Sequence, residues 1–385
     1  MPIIVFSGAF LFRLQYFYFM KQIFVVFFLV LLCCSCGNYP IENEPDGSQQ
    51  VDATVRWAKG FDFYANNNEE GIVLYDLVNG SSELSRWARL KSGGQKKEGV
   101  HYLDSEVTIA AQSTTQMAMI EAIDGLEKLA CAAYLDYIKS NAILDLVKTG
   151  EVKDISGVGE IDFEKLILCN PDLMLIYPFG YESEEKFKNA GIESVPISEY
   201  LEPHPLGRSE WIKMIGWLLQ KDNEAEKIFG EIEAKYLDIA KAKNQGGPVV
   251  FTGSYSGGNW YAPGGDTFMA QFIEDAGGVY LFEDEQVNEN ITLPFELLYS
   301  KAIEADFWSK VVFEKGDLTL DQLAAQDQRF AKLPCFQNSN VFYCNAAETD
   351  YFGEGVMQPH LILEDLVHLL NEEDFDHHFF KPIEK

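Results

Sequence analysis

IDFEKLILCNPDLMLIYP, residues 161–178, joins two different hydrophobic patterns across one breaker. FEKLILCN reads as a short helix, Pro171-Asp172 stops it, and LMLIYPFG is an unbroken apolar run of strand length that ends in aromatics and glycine. The same unit recurs on both sides. Upstream, EVTIAAQSTTQ predicts a strand ending in a hydroxyl-rich turn, and MAMIEAIDGLEKL places Met117, Ile120, Ile123 and Leu126 at helical spacing before and across an Asp-Gly interruption. Downstream, EEKFKNAGI predicts a helix closed by Gly191, then the strand SVPIS and the loop EYLEPHPLGR. Strand-helix alternation implies a parallel sheet, whose ligands bind beyond the carboxyl ends of the strands. The loops QSTTQ, YPFGYE and SEYLEPHP would then gather at one rim, which makes Ser113, Thr114, Tyr177, Phe179 and Tyr181 candidate ligand contacts.

A long helix follows. Asn223 is a candidate N-cap, Glu224 and Glu226 favour the dipole in the first turn, and Ile228, Ile232, Tyr236 and Ile239 form an apolar stripe running towards Lys243. After Gly246-Gly247-Pro248 the alternation restarts with the strand VVFTGSY, a helix over TFMAQFIEDA, the helix LLYSKAIEA and the strand NVFYC. The fold class is therefore α/β, with two lobes built on central parallel sheets and joined by a single linker helix. The boundaries are a signal segment 1–36, a tether 37–50, an N-terminal lobe 51–222, the linker 223–245 and a C-terminal lobe 246–385.

Composition restricts the partners. The chain has 385 residues, 47% of them hydrophobic, enough for two cored lobes. Its formal net charge of -30 makes the electrostatic contribution to nucleic-acid binding repulsive. At the N-terminus, MKQIFVVFFLVLLCCSCGN begins at Met20 with one lysine and an apolar run from Ile23 to Leu32. A helix of that length spans about 15 Å, half a bilayer core, so it reads as the core of a signal peptide. Ser35-Cys36-Gly37 resembles a bacterial lipobox and makes Cys36 the acylated first residue of the mature chain, the alternative being an ordinary secretory signal. Cys335 and Cys344 flank FQNSNVFY, which leaves open a hairpin disulfide or two buried thiols.

The loop GNWYAPGGDTF, residues 258–268, contains a Pro-Gly-Gly turn but no lysine, and Asp266 would repel a phosphate. Tyr255, Trp260 and Tyr261 facing Tyr177, Phe179 and Tyr181 would instead wall a pocket for a broad chelate, the alternative being that Trp260 or Tyr261 packs the lobe. His204 is either a loop residue or an axial contact to a chelated metal, and Arg208 on the same loop would meet a carboxylate or form a salt bridge. The other histidines do not converge on the strand ends, which argues against a binder of bare metal ions. No GxSxG elbow is present, nor a histidine close in sequence to Ser113-Thr114-Thr115.

The lipobox, IDFEKLILCNPDLMLIYP, the linker helix, WYAPGGDTFMAQFIEDAGG and LPFELLYSKAIEADFW occur in an order that resembles the periplasmic substrate-binding proteins of ABC importers for ferric siderophores, haem and cobalamin. The resemblance runs from about Val107 to Leu370, and residues 50–105 form a longer β-rich extension than the simplest members carry. It implies a class III periplasmic-binding-protein-like fold and a monomer, lipid-anchored in the periplasm, that captures a metal chelate in the inter-lobe cleft and holds no cofactor of its own. It also implies delivery to a permease in the inner membrane, with Glu164 and Glu296 at the positions that dock onto permease arginines. The competing readings are a tetrapyrrole- or metal-cluster-handling enzyme on the same fold, and a ligand sensor without a permease.

Overall fold

The computed structural model describes residues 54–384, apart from 79, 81, 104–105, 159, 178–183 and 242–245. The signal segment, Cys36, Phe179 and Tyr181 lie outside the described residues. No helix among the described residues is long and apolar enough to cross a membrane.

The extension is a sheet of its own: β1 (Phe61–Ala65), β2 (Glu69–Asp76), β3 (Ser82–Leu90) and β4 (His101–Tyr102), in that spatial order. Next comes a parallel sheet of β5 (Ile109–Ala111), β6 (Leu129–Ala132), β7 (Lys153–Asp154), β8 (Leu173–Ile176) and β9 (Glu193–Pro196), ordered β7-β6-β5-β8-β9. The chain moves outward from β5 on one side and returns on the other, so the β5/β8 boundary is a topological switch point. In the second half, β10 (Val249–Thr252) leads into β11 (Ser254–Ser256) and β12 (Asn259–Pro263), followed by β13 (Val279–Tyr280), β14 (Asn290–Pro294), β15 (Phe307–Val312), β16 (Val341–Asn345) and β17 (Phe380–Pro382). Of these, β13-β10-β15-β16 pair in parallel, β17 closes the edge antiparallel, and β11-β12-β14 form a separate antiparallel meander.

Helices fill the crossovers. α1 (Thr114–Ala122) starts three residues before the expected run because Ser113 caps it, its hydroxyl accepting from Gln116 N–H, and it ends before Asp124, which adopts φ 54°. α2 (Asn141–Thr149) and the strand β6 have no counterpart in the sequence reading. α3 (Phe163–Cys169) and α4 (Glu184–Asn189) fall where the apolar pattern puts them. Cys169, the last residue of α3, is bridged to Cys131 on β6, whereas Cys335 and Cys344 are free and buried, so the hairpin disulfide does not form.

Two consecutive helices stand between the parallel sheets. α5 (Pro205–Leu219) is buried at every position except Arg208, its polar Ser209, Glu210 and Lys213 included, each with a hydrogen-bond or ion-pair partner. α6 (Asp222–Ile239) is the predicted linker helix; it begins two residues early, with Lys221 and not Asn223 at the N-cap, ends at Ile239 and not near Lys243, and buries Ala225, Phe229, Ile232 and Tyr236. Its 18 residues span about 27 Å. A Cβ added at Gly216 of α5 would lie 2.5 Å from Ala225 Cβ, so only glycine lets the two helices approach this closely.

The segment entering β1 is strapped to this pair. Glu210 of α5, fully buried, accepts from the backbone amides of Arg56, Trp57 and Ala58 at 2.7–3.0 Å. Glu202, also fully buried, accepts from Lys59 and Gly60 and from Trp211 Nε1. Trp57 Nε1 donates to Glu233 of α6, and the Arg56 guanidinium pairs with the same carboxylate. Two carboxylates thus satisfy five successive amides, which would otherwise be costly donors in a dry site.

Candidate functional site

Residues that immediately follow six parallel strands surround a cavity of about 480 Å³. Gln112–Thr115 follow β5, Tyr134 and Tyr137 follow β6, Tyr177 follows β8, and Glu199 and Tyr200 follow β9. From the other sheet, Phe313 follows β15 and Ala346, Thr349–Phe352 follow β16. Phe268, the first residue of α7 (Phe268–Asp275), and Arg208 of α5 complete the lining. The site therefore lies where both sheets present their carboxyl ends, as open α/β sheets dictate. A larger recess of about 880 Å³ is lined by Asp266, Glu274, Glu283 and Asp284 with Lys59, and lacks both this convergence of strand ends and the aromatic walls.

Contacts between the two halves frame the cavity. Thr115 Oγ1 donates to the carbonyl of Phe352 at 2.6 Å, Lys139 Nζ donates to that of Ala347, and the Tyr137 and Phe313 rings meet edge-on at 5.7 Å. Tyr137, Phe313 and Phe352 are each more than half exposed, an unusual surplus of apolar surface at one mouth. Inside, Tyr177 and Tyr200 pack edge-to-face at 5.2 Å. Burial and then the Glu199 carboxylate push the Tyr177 hydroxyl above its usual range, opposed by the nearby Ser113 and Thr115 side chains and the Arg208 charge.

Glu199 and Arg208 form the polar centre. Glu199 is fully buried, and neither carboxylate oxygen has a hydrogen-bond partner of good geometry. Burial pushes its carboxyl up to about 7, opposed chiefly by Arg208, whose Nη2 stands 3.9 Å from Oε1, and more weakly by the amides of Glu199 and Tyr200. The guanidinium lies over the Phe268 ring at 4.2 Å, and its Nε has no partner. Asp350 accepts from the amides of Gly353 and Glu354, and burial pushes its carboxyl up.

Of the residues singled out from sequence, Ser113, Thr114, Tyr177 and Arg208 come together on the cavity. His204 does not. Its Nδ1 accepts from Leu206 N–H and caps α5, its ring packs on Trp57 at 4.3 Å, and burial lowers it to about 4, so it is a neutral capping residue and not an axial ligand. Trp260 is fully buried, donates Nε1–H to the Thr252 carbonyl, and packs on Phe251, Trp308 and Phe330; it is core and not wall. Tyr255 packs on Phe295 and Phe330, and Tyr261 points out of the β11-β12-β14 meander, so neither reaches the cavity. The sequence reading missed Tyr134, Tyr137, Glu199, Tyr200, Phe268, Phe313, Tyr351 and Phe352. Most of these follow a strand directly, so strand ends were the available signal.

Glu164 is exposed in the first turn of α3, and Glu296 in the first turn of α8 (Phe295–Ala302), where it pairs with Arg329 at 2.8 Å. The Arg329 guanidinium and the amide of its own residue hold the Glu296 carboxyl below its usual range, the backbone amide contributing most.

A family model described as periplasmic binding protein matches residues 109–348. A lipoprotein of Methanocaldococcus jannaschii is 30% identical over 227 residues, covering 57% of this chain and 53% of that one. The chain spans about half to two thirds of the length of the curated relatives it matches, from 53% to 64%. Among solved structures, an ABC-type Fe3+-hydroxamate transport system from Saccharomonospora viridis superposes with a TM-score of 0.53 at 15% identity, covering 70% of this chain and 94% of that one. A periplasmic heme binding protein of Vibrio cholerae gives a TM-score of 0.54 at 14% identity, covering 69% and 100%. At such identities the likeness is one of fold.

Proposed function

The chain belongs to the periplasmic binding protein family, and we propose that it is an extracytoplasmic lipoprotein that captures a metal chelate between lobes 51–222 and 246–385 and passes it to an ABC permease of the inner membrane. The observation that carries this reading is the cavity itself. It opens at the carboxyl ends of both parallel sheets, has a volume suited to a small-molecule ligand, and is walled by aromatic rings. Broad, rigid, partly polar walls suit a flat or globular chelate better than a bare ion. No group of three or more His, Cys, Asp or Glu side chains that could hold a metal ion occurs among the described residues, in keeping with a chelator that supplies the metal's coordination. Solved structures of this fold include proteins titled as ferric-hydroxamate and haem binders, which supports that ligand class.

Anchoring would be through Cys36 of the Ser35-Cys36-Gly37 junction, in keeping with the lipoprotein naming of the Methanocaldococcus relative. Glu164 and Glu296 would face the permease: both are exposed at the starts of short helices in corresponding places of the two lobes, where rim charges govern docking. The test is the absorption spectrum and mass of what co-purifies with protein beginning at residue 37, followed by titration of the emptied protein with ferric trihydroxamate, haemin and cyanocobalamin. Binding without chemical change is the expected result. Conversion of a bound tetrapyrrole would replace capture with catalysis, and no binding of any chelate would remove the proposal.

A further inference from the structure

We infer that Glu199 sets the charge of the cargo: this cavity takes an electrically neutral chelate and rejects a polyanionic one. The inference rests on the capture reading above and narrows it to a class of chelate.

Charge on the lining is scarce and nearly cancelled. Arg208 is the one cation among the described lining residues, and Glu199 and Asp350 are the carboxylates. Lys139, close to the mouth, is already committed to the Ala347 carbonyl. Beyond the lining, the whole chain carries a formal -30, so the long-range field also opposes an anion.

Glu199 controls what remains. It is fully buried, its oxygens lack good hydrogen-bond partners, and it faces Arg208 across 3.9 Å. When ionised, a buried carboxylate this close offsets most of the positive potential that Arg208 would otherwise project into the cavity. The two groups are nonetheless too far apart to satisfy each other, and Arg208 Nε is orphaned as well. A ligand group offering both a donor and an acceptor, as a peripheral amide does, meets both needs without adding charge. Ferric trihydroxamates and cyanocobalamin are neutral chelates with peripheral amides, whereas a ferric triscatecholate carries about three negative charges by its bonding alone, and each would be desolvated against a single neutralised cation.

The experiment is a binding panel by intrinsic fluorescence quenching at fixed ionic strength and pH 9, where the Glu199 carboxyl, raised by burial to about 7, is ionised. It uses ferrioxamine E, a cyclic trihydroxamate with no free amine and so neutral, as the trihydroxamate, cyanocobalamin as the corrinoid and ferric enterobactin as the triscatecholate, with wild type, Glu199→Gln and Arg208→Gln. For wild type, at least one neutral chelate is expected to bind at least about tenfold tighter than the triscatecholate, and which of the two does so separates hydroxamate from corrinoid. At a pH two units above the value to which burial raises it, Glu199 is ionised and neutralising it by proton uptake is costly, so in Glu199→Gln the ratio of triscatecholate to neutral-chelate affinity is expected to rise at least about tenfold, because removing one negative charge a few ångströms away is worth more than a factor of ten at an effective dielectric near 20. In Arg208→Gln that ratio is expected to fall. Circular dichroism and melting of each variant establish that it is folded. Wild type that binds the triscatecholate as tightly as the neutral chelates overturns the charge inference while leaving capture intact, and needs no variant. An unmoved ratio in folded Glu199→Gln overturns the role of Glu199. If no chelate binds at all, the capture reading falls and this inference falls with it.

Discussion

Replacing Glu210 by alanine should unfasten the strap between residues 56–60 and the inter-lobe helices, and its cost can be worked from the contacts. The substitution removes the acceptor for the amides of Arg56, Trp57 and Ala58 and the 3.1 Å partner of Lys213, whose side chain is only 3% exposed. Hydrogen bonds to a charged acceptor are worth about 1.5–3 kcal/mol each, and breaking a buried pair about 3–5 kcal/mol. Those contributions overlap, and they have a ceiling. Once holding the strap costs more than releasing it, residues 54–60 detach, regain about 1–2 kcal/mol of backbone entropy per residue, and give up the packing of Trp57 on His204. Lys213 also keeps its 2.8 Å contact with Glu226. A loss of about 3–5 kcal/mol is therefore expected, a large share of the stability of an ordinary domain. Urea unfolding followed by tryptophan fluorescence measures it, and amide exchange at residues 56–58 reports whether the strap has let go. A loss below about 1 kcal/mol with these amides still protected would refute the reasoning, because the carboxylate could not then be what holds them.

Four further outcomes are expected. Trp260→Ala should cost about 3–5 kcal/mol of stability by urea unfolding, as large core truncations do, with no selective loss of chelate affinity in the folded fraction; weakened binding at wild-type stability would return Trp260 to the cavity. Reducing the Cys131–Cys169 bridge, which closes a sequence separation of 38, should lower stability by about 4 kcal/mol on the chain-entropy account, seen as a shifted unfolding midpoint in dithiothreitol; an unchanged midpoint with both thiols titratable would contradict it. Because the Glu199 carboxyl is raised from its ordinary 4.5 to about 7, the folded state binds the extra proton between those values and stability falls as pH rises through that window, by about 3 kcal/mol in full; the difference in pH slope between wild type and Glu199→Gln isolates it, and identical slopes would exclude it. Glu164→Arg with Glu296→Arg should abolish uptake in cells while the affinity of the purified protein for its chelate is unchanged, and normal uptake by the double variant would discard the docking assignment.

The N-terminal sheet is legible in sequence wherever a breaker separates two periods. Pro171-Asp172 divides α3 from β8, and Gly191, at φ 74°, divides α4 from β9. What lacks a period escapes. α5 is buried on all faces and carries Ser209, Glu210 and Lys213 among its buried residues, so its pattern shows no single apolar stripe, and its entry PHPLGR resembles a loop although proline is well suited to the first turn of a helix. The disulfide escapes for a different reason: Cys131 and Cys169 meet because α3 packs beside β6, and β6 is only four residues long. The strap depends on residues some 140–154 positions apart, a pairing to which no local pattern refers.

The candidate site divides along the same line. The rim formed by Ser113 and Tyr177 follows from strand order in the first sheet, because a parallel sheet fixes which loops share an end, and Arg208 reaches it from the first turn of α5. The opposite wall was sought in Trp260 and Tyr261, yet adjacent residues of one strand must point to opposite faces, so both could never have lined the same cavity. β12 shows the alternation: Trp260 and Ala262 are buried and Tyr261 between them is exposed. The β11-β12-β14 meander takes that strand out of the parallel sheet, so its aromatics have no obligation to the strand ends at all. Phe313, Tyr351 and Phe352 do, because β15 and β16 remain in the sheet and deliver the chain to the cavity as they end. A wall residue is thus identified by the strand it follows, and a bulky aromatic pair in a glycine-rich loop identifies only that something must be packed.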